Sequence, residues 1–326
     1  MKSKKIFALI ILTLLIAYPI YSAIVKTDYE DFEGRKQTAL PKLTTHNFIG
    51  GEFSKEFEDY LNDHAAFKKE LNSLKSLVSY GIGIREKNNI ILTNNRLYQS
   101  ALKNPRLLNF IKNSKARIIA IPYSLYYAED LPLAIKIKNE KANYKKEYDD
   151  FIESIKDQEY IDMSTLLTID DYYKSDHHLN ENGIIKLAEA LSLNSNFLPE
   201  TKQEFTGGLS RKTGFPVKDE FLPQYPIELK NEIYKLNDEI RYCYDFESLN
   251  HADPYLFYMG GNFGKLSMDG YGNGKAVIIK DSFANPILPL FKDIYREIIV
   301  LDARFLDEKI ENEIAKDADI YVIAGF

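Results

Sequence analysis

The sequence predicts an α/β fold in which a parallel sheet is flanked by helices. Three short runs near the C-terminus are apolar and rich in β-branched residues: 276–279, 297–301 and 319–323. Helix-like stretches at 285–295 and 308–316 separate them. Alternating strands and helices are typical of a parallel sheet with helices on its faces. Two earlier runs, 117–122 and 160–163, have the same look of buried strands.

Composition limits the kind of protein this chain is. It has 326 residues, with 42 Lys and Arg against 48 Asp and Glu, so the formal net charge is −6. A basic face is not indicated, and nucleic acid is not an expected partner. Cys243 is the one cysteine in the sequence, which excludes an intrachain disulfide and a Cys-based zinc site. The 23 Tyr and 19 Phe suit a carbohydrate or a protein partner without choosing between them.

The N-terminus predicts export. An uncharged run, 6–25, lies between a lysine-rich start and Lys26, and about 20 residues are needed to cross a bilayer as a helix. We expect residues 1–26 to form a signal anchor, a transmembrane helix with its lysine-rich end in the cytoplasm. A signal peptide cleaved near Ala23 is the competing interpretation. The chain is then a single-pass cell-membrane protein with its domain on the extracytoplasmic side, or a secreted protein if the segment is removed.

The rest of the chain is predicted to form a tether and one domain. Residues 27–45 are polar and contain proline, as in a tether, and 46–326 form the domain. Residues 53–77 carry apolar side chains at three- and four-residue steps, which predicts an amphipathic helix. We expect His64, near that stripe, to be structural rather than a ligand. Further segments give a hairpin at 88–98 and helices at 131–155 and 181–193.

Ser282 is the first candidate for chemistry. It lies in Lys280-Asp281-Ser282-Phe283-Ala284-Asn285, directly after the predicted strand 276–279. Open α/β sheets bind ligands at the carboxyl ends of their strands, and a helix N-terminus favours a developing oxyanion. The alternative is that Asp281 or Ser282 is only an N-cap.

The second candidate is the segment Asp176-His177-His178. A serine nucleophile needs an imidazole base, and that base needs a carboxylate to hold its tautomer. Asp176 and His178 are one residue apart on a loop that enters a helix, so their side chains can converge. An exposed polar loop is the plain alternative. A metal site of these three side chains is another, although the sequence offers no motif for a fourth ligand.

Several blocks of this sequence resemble the DHHW family. They are the Asp176-His177-His178 segment, the 280–285 segment and the 53–67 helix, with further blocks at 204–214, 258–264 and 301–305. That family is similar to the alginate O-acetyltransferase proteins, whose fold is related to the SGNH hydrolases. The resemblance runs from about residue 43 to the C-terminus, and it implies an SGNH hydrolase-like α/β domain over 46–326.

The resemblance also implies roles for individual residues. Ser282 is the expected nucleophile, His178 its base and Asp176 the carboxylate that orients the base. Further oxyanion or substrate candidates are Gly261, Asn262, His177 and Arg304, of which the first two form a structural turn in the alternative interpretation. No metal and no cofactor are implied.

Three features depart from the related families. Leu179 follows His178 where the DHHW motif has Trp, and Lys280 stands where a Gly usually precedes Asp-Ser. The Asp-x-His spacing is one residue shorter than is usual in SGNH enzymes. The first departure puts substrate contacts in doubt more than the triad.

The resemblance implies O-acetylation of a cell-surface or exported polysaccharide through an acetyl-Ser282 intermediate. A membrane-bound O-acyltransferase partner would supply the acetyl group from the cytoplasmic side. Two alternatives stay open: a carbohydrate acetyl esterase, in which water is the acceptor, and a non-catalytic polysaccharide-binding assembly factor with a degenerate site.

Overall fold

The computed structural model describes residues 2–24, 37–99, 104–129, 131–139, 144–199, 201–306, 309–315 and 317–326. The chain forms two compact units. The first consists of Met1–Gly83 with Arg211–Phe215, and the second of Ile84–Ser210 with Pro216–Phe326. Every predicted site residue belongs to the second unit.

The first unit is helical. Its helices are α1 (Lys2–Ile24), α2 (Thr45–Ile49), α3 (Glu52–Asp63) and α4 (Lys68–Gly81). The continuous helix predicted over 53–77 is interrupted between α3 and α4, where Phe67 adopts a left-handed φ of 59° that an α-helix does not accommodate. His64 Nε2 lies 3.1 Å from the Thr38 carbonyl oxygen. This contact with the backbone of the same unit fits a structural role.

The N-terminal segment is helical, but its relation to a membrane stays a prediction. Within the part of the chain that the structure describes, no helix has both the length and the apolar character needed to cross a bilayer. Of the predicted tether, residues 27–36 lie outside the described residues.

The second unit contains the strands and the remaining helices. Its helices are α5 (Pro105–Asn113), α6 (Leu133–Asn139), α7 (Tyr144–Ser154), α8 (Glu181–Ala190) and α9 (Gly208–Thr213), the last of which continues into the segment assigned to the first unit. Its strands are β1 (Glu86–Lys87), β2 (Ile90–Leu92), β3 (Leu97–Gln99), β4 (Arg117–Ile121), β5 (Tyr160–Asp162), β6 (Phe197–Pro199), β7 (Gln203–Phe205), β8 (Asp219–Phe221), β9 (Gln224–Pro226), β10 (Ile233–Leu236), β11 (Glu239–Tyr242), β12 (Lys265–Asp269), β13 (Lys275–Lys280), β14 (Glu297–Asp302) and β15 (Ala318–Gly325).

An eight-stranded sheet forms the centre of this unit. Its strand order is β11-β10-β12-β14-β13-β15-β4-β5. The five strands from β14 to β5 run parallel, and they are the five strands that the sequence predicts. The predicted α/β class is therefore confirmed. The antiparallel extension β12-β10-β11 is an addition that the sequence pattern does not show.

Both faces of the sheet are buried at β13. Along β13, Ala276 and Ile278 belong to one apolar cluster, and Val277 and Ile279 belong to the other. Successive side chains of a strand point to opposite faces, so the uninterrupted apolar run fits a strand covered on both sides. β13 therefore occupies the interior of the sheet and carries the candidate serine at its carboxyl end.

Two of the predicted helices take a different form. The segment after β13 is a 3₁₀ helix, Ser282–Asp293, rather than an α-helix over 285–295. It contains Pro286 and Pro289, which lack the N–H that an α-helical hydrogen bond requires. Near 308–316 the described residues hold only a short 3₁₀ turn, Ile310–Glu313.

Candidate functional site

Ser282 lies at the sharp junction between β13 and the 3₁₀ helix. Asp281 Oδ1 accepts a hydrogen bond from the Phe283 N–H (2.9 Å), and its Oδ2 accepts one from the Gly325 N–H (2.8 Å). The N-cap role considered for either residue thus belongs to Asp281. Ser282 is 5% exposed, and among the described residues its hydroxyl makes no hydrogen bond. Its side chain is not needed for capping.

Asp176 and His178 form a hydrogen-bonded pair. His178 Nδ1 lies 2.7 Å from Asp176 Oδ1, which also accepts the His178 backbone N–H (3.1 Å). Asp176 Oδ2 accepts the backbone N–H of Gly208 at 2.5 Å. The carboxylate assigns the proton to Nδ1 and leaves a lone pair on Nε2. That Nε2 atom is buried without a hydrogen-bond partner in the described part of the chain.

The electrostatics of this pair favour a neutral base. Burial opposes the charge on Asp176, but the neighbouring rings of His178 and His177 outweigh it and hold the pKa of the carboxyl well below its usual range. Burial, together with the nearby His177, lowers the pKa of His178 to about 4 against the pull of Asp176. At neutral pH the pair is therefore a carboxylate and a neutral imidazole, the resting form of a general base.

The loop that carries this pair is bound by the carboxylate of Asp219, a residue distant in sequence. Asp219 accepts the backbone N–H groups of Lys174 (3.0 Å) and Ser175 (2.6 Å) and the Ser175 hydroxyl (2.6 Å). The Ser175 hydroxyl in turn accepts the Gly207 N–H at 3.0 Å. A Cβ at Gly207 would lie 2.5 Å from the Ser175 backbone and 2.7 Å from Asp176 Cβ, so only glycine allows this close approach.

Leu179 and Asn180 anchor the other side of the loop. Leu179 is fully buried in the core and pairs with Tyr172 in an isolated antiparallel bridge. The DHHW motif has Trp at this position, and Leu179 places a different apolar side chain there. Asn180 caps α8 by accepting the backbone N–H groups of Asn182 and Gly183.

An aromatic cluster brings the Asp176–His178 pair and Ser282 together. The Tyr255 ring stacks on the His178 imidazole with centroids 3.8 Å apart, and its hydroxyl donates to the Ser282 carbonyl oxygen at 3.3 Å. The Phe283 ring meets His178 edge-on at 5.9 Å. Among the described residues, no hydrogen bond joins Ser282 Oγ to His178 Nε2, and the two residues are linked through Tyr255 and Phe283. Catalytic hydrogen bonds are often long in unliganded sites and tighten when substrate binds.

His177 lies close to both members of the Asp176–His178 pair. Its Nδ1 is 3.3 Å from Asp176 Oδ1 but lacks hydrogen-bond geometry, and its ring lies 3.9 Å from that of His178. Within the described ranges, Asp176, His177 and His178 are also the one group with the proximity to ligate a metal, with ligand atoms within 4.8 Å of one another. These three atoms leave a tetrahedral ion short of a fourth protein ligand.

Gly261 and Asn262 form a turn that is tied to the segment around Ser282. The Gly261 carbonyl accepts a hydrogen bond from Asn285 Nδ2 (3.4 Å), and Asn262 Oδ1 accepts from the same amide (3.3 Å) and from Lys280 Nζ (2.9 Å). Among the described residues, neither donates to Ser282 or His178. Asn262 Nδ2 makes no hydrogen bond to a described residue.

Lys280 and Arg304 share one buried carboxylate. Arg304 binds Asp302 through Nε–Oδ1 (2.9 Å) and Nη2–Oδ2 (2.6 Å), and Lys280 Nζ lies 3.4 Å from Asp302 Oδ2. Lys280 Nζ also donates to Asn285 Oδ1 at 2.7 Å, and burial lowers the lysine pKa to about 8. The lysine that departs from the family pattern therefore joins β13, the 3₁₀ helix and the Gly261–Asn262 turn. Arg304, a substrate candidate in the sequence, therefore forms an ion pair with Asp302.

Tyr255, Asp219 and Gly208 also shape the site, and they are not among the site residues predicted from the sequence. Tyr255 carries no local signal that separates it from the other tyrosines, and Asp219 acts 44 residues away from Ser175. Gly208 lies in the block 204–214 that resembles the DHHW family, so that block offered the one available signal.

The fold and this arrangement define an α/β protein with a serine at the carboxyl end of a central strand and an Asp–His pair beside it. The sequence matches no protein-family model, and the comparison with curated proteins gives no match either.

Solved structures resemble this chain at low identity. PatB1 of Bacillus cereus is 16% identical with a TM-score of 0.53, over 72% of this chain and 95% of that one. A second PatB1 structure, with a sulfonyl adduct, has a TM-score of 0.52 at the same identity, over 72% of this chain and 93% of that one. A DHHW family protein of Eubacterium siraeum is 19% identical with a TM-score of 0.49, over 74% and 91% of the two chains.

The O-acetyltransferase domain of Pseudomonas putida AlgJ is a more distant match. It is 11% identical with a TM-score of 0.38, over 73% of this chain and 90% of that domain. The predicted likeness to DHHW and alginate O-acetyltransferase proteins is thus confirmed among the structural neighbours. At these identities the match with PatB1 shows a shared fold.

Proposed function

We propose that this protein is a serine-dependent O-acyltransferase that moves an acetyl group onto hydroxyls of a cell-surface or exported polysaccharide. One observation carries the acyl-transfer step: among the described residues His178 Nε2 has no partner while Asp176 holds its Nδ1, and Tyr255 contacts both the His178 ring and the Ser282 carbonyl oxygen. The acetyl group and the polysaccharide come from the resemblance to the DHHW and alginate O-acetyltransferase proteins.

The first half-reaction forms the acyl-enzyme. Ser282 Oγ attacks the acetyl carbonyl carbon while His178 Nε2 takes the hydroxyl proton, and Asp176 stabilises the imidazolium that results. The tetrahedral intermediate then collapses, the bond to the donor oxygen breaks, and His178 returns the proton to that leaving group. In the second half-reaction a sugar hydroxyl gives its proton to His178 and attacks the carbonyl carbon of acetyl-Ser282. The ester bond to Ser282 Oγ then breaks, and His178 returns the proton to the serine oxygen.

Two groups fit the developing oxyanion. The Ser282 backbone N–H makes no hydrogen bond among the described residues, whereas the Phe283 N–H is already bound to Asp281. Asn262 Nδ2 is a second unengaged donor on the turn tied to Lys280 and Asn285. Preorganised donors of this kind are typically the largest single contribution to such reactions.

The membrane assignment belongs to the same proposal. The uncharged run 6–25 after a lysine-rich start supports a signal anchor with the domain on the extracytoplasmic side. Acetyl donors are cytoplasmic, so a membrane-bound O-acyltransferase partner would deliver the acetyl group across the bilayer. Such a partner explains why an exported transferase would be retained at the membrane.

The test compares cells that make the wild-type protein with cells that make Ser282→Ala or His178→Ala. The proposal predicts that alkali-labile acetyl groups on the envelope polysaccharide disappear in both variants. Fully acetylated polysaccharide in the Ser282→Ala strain would contradict it. A rise in polysaccharide acetylation in that strain would instead identify a carbohydrate esterase, which uses the same residues with water as acceptor.

A further inference from the structure

An aromatic cavity lies beside Ser282 at the carboxyl ends of the parallel strands. It has a volume of about 410 Å³, within the range of small-molecule sites. Residues that follow β4, β13, β14 and β15 contribute to it, and so do α5 and α7. Six aromatic rings line it: Tyr123, Tyr126, Tyr144, Tyr148, Phe151 and Phe326.

Tyr123 lines this cavity and also contacts residues next to the candidate catalytic residues. Its ring stacks on His177 with centroids 6.3 Å apart and meets the Phe283 ring edge-on at 5.4 Å. A Cβ at Gly325 would lie 2.6 Å from the Tyr123 ring and 2.7 Å from the Phe283 ring. Because glycine has no Cβ, the two rings can pack close to this position. Asp281, the residue before Ser282, lines the cavity directly. A ligand in the cavity would thus contact the residue that precedes the serine.

Two side chains add hydrogen-bond donors to these apolar walls. Arg304 uses Nε and Nη2 for Asp302, while among the described residues its Nη1 has no partner. Asn104 uses its Oδ1 to cap α5, and its Nδ2 likewise makes no hydrogen bond to a described residue. Both residues line the cavity.

The charges around the cavity disfavour an anionic ligand. Lys280 and Arg304 are balanced by Asp281 and Asp302, and the other charged residues that line the cavity, Glu147 and Asp150 on α7, are acidic. Flat aromatic faces with a few donors suit a ring that is apolar on its faces and carries oxygen acceptors on its edge. An uncharged pyranose has this chemistry.

We infer that this cavity binds an uncharged pyranose residue of the acceptor polysaccharide and so presents a neighbouring hydroxyl to acetyl-Ser282. The inference rests on the proposed function. In this inference the aromatic rings bind the acceptor, and Arg304 Nη1 donates a hydrogen bond to a sugar oxygen. The aromatic rings take no part in forming the acyl-enzyme.

The test separates acylation from transfer. In the full-length protein, p-nitrophenyl acetate measures acylation of Ser282, and the acetyl content of the envelope polysaccharide measures transfer in cells. Tyr126→Ala removes one aromatic face, and Leu108→Trp fills the cavity from α5. Tyr242→Ala and Leu166→Trp are matched controls, since both positions are exposed and neither lines the cavity.

We expect each cavity variant to lower the ratio of polysaccharide acetylation to Ser282 acylation about tenfold or more, which is typical of lost pocket contacts. The controls should keep the wild-type ratio. Cavity variants with the wild-type ratio would overturn the inference while leaving the proposed function intact. Polysaccharide acetylation that does not depend on Ser282 at all would overturn both.

Discussion

The Tyr255 ring lies parallel to the His178 imidazole, with centroids 3.8 Å apart and an interplanar angle of 9°. The tyrosine covers one face of the base, and its hydroxyl reaches the carbonyl oxygen of Ser282 at 3.3 Å. Its own pKa is raised well above the usual value by burial, so it remains a neutral phenol. One buried side chain thus shields the base from water and contacts the backbone of the nucleophile.

Removing this cover should raise the pKa of His178. In Tyr255→Leu the imidazole gains access to water, which weakens the desolvation that lowers its pKa, so the pKa should move from about 4 toward the ordinary value of 6.5. The measurement is an NMR titration of the His178 ring protons. Tyr255→Phe keeps the ring and should titrate like the wild type; a Leu variant that does the same would contradict this explanation.

The rate of Ser282 acylation should depend on pH through the same group. His178 must be unprotonated to act as a base, so a pKa of about 4 predicts a rate that rises with pH through that value and is level across neutral pH. In the unfolded chain the imidazole binds its proton more readily, so stability also falls as pH drops from about 6.5 toward 4. Circular dichroism at each pH separates the two effects. A rate that rises only near pH 6.5 would show that His178 is not desolvated.

Asp176→Asn should leave the fold intact and remove most of the activity. An amide at this position no longer fixes the proton on Nδ1 or stabilises the imidazolium, and a change of this kind lowers kcat by about 10⁴-fold in a serine triad. The readout is acylation by p-nitrophenyl acetate. Asp170→Asn, an exposed carboxylate on the same loop region, is the control and should change the rate by less than about twofold. Equal losses in both variants would argue against a specific role of Asp176.

Gly207→Ala should impair the site through its geometry. The added Cβ would collide with the Ser175 backbone and with Asp176 Cβ, and a displacement of about 1 Å can lower a rate about 100-fold. Acylation rate and melting temperature are measured together. Gly81→Ala is the control because a Cβ there meets nothing within 4 Å. Wild-type acylation in Gly207→Ala would show that the loop tolerates the shift.

Lys280→Met should destabilise the protein. The change leaves Asn262, Asn285 and the buried Asp302 without a shared cation, although Arg304 still pairs with Asp302. Loss of one partner of a buried ion pair costs about 3 kcal/mol. Denaturant unfolding measures it, with Lys202→Met as control, because the exposed pair with Glu220 is worth about 1 kcal/mol or less. A similar small loss at Lys280 would mean that the network contributes little.

The parallel half of the sheet could be predicted because its strands are buried on both faces. Uninterrupted apolar runs such as 276–279 indicate this burial directly. The antiparallel extension gives no such signal: every residue of β11 is exposed, and β10 alternates with exposed positions. The helix predicted over 285–295 has a different form, because Pro286 and Pro289 lack the N–H that an α-helical hydrogen bond requires, and residues 282–293 form a 3₁₀ helix instead.

The candidate site could be predicted only in part. Asp176, His178 and Ser282 stand in recognisable segments, and the structure places the first two in direct contact. The groups that position them come from distant segments, as with Tyr255 and Asp219, and tertiary packing alone brings them near. The Gly261–Asn262 turn is reached through the side chains of Lys280 and Asn285 rather than through Ser282.

The most direct test of this account is to treat the full-length protein with phenylmethylsulfonyl fluoride and to map the modified peptide by mass spectrometry. The account predicts one sulfonyl group on Ser282, no adduct in Ser282→Ala, and a much slower reaction in His178→Ala and Asp176→Asn. An adduct on another residue, or a reaction at Ser282 that is equally fast without His178, would contradict it.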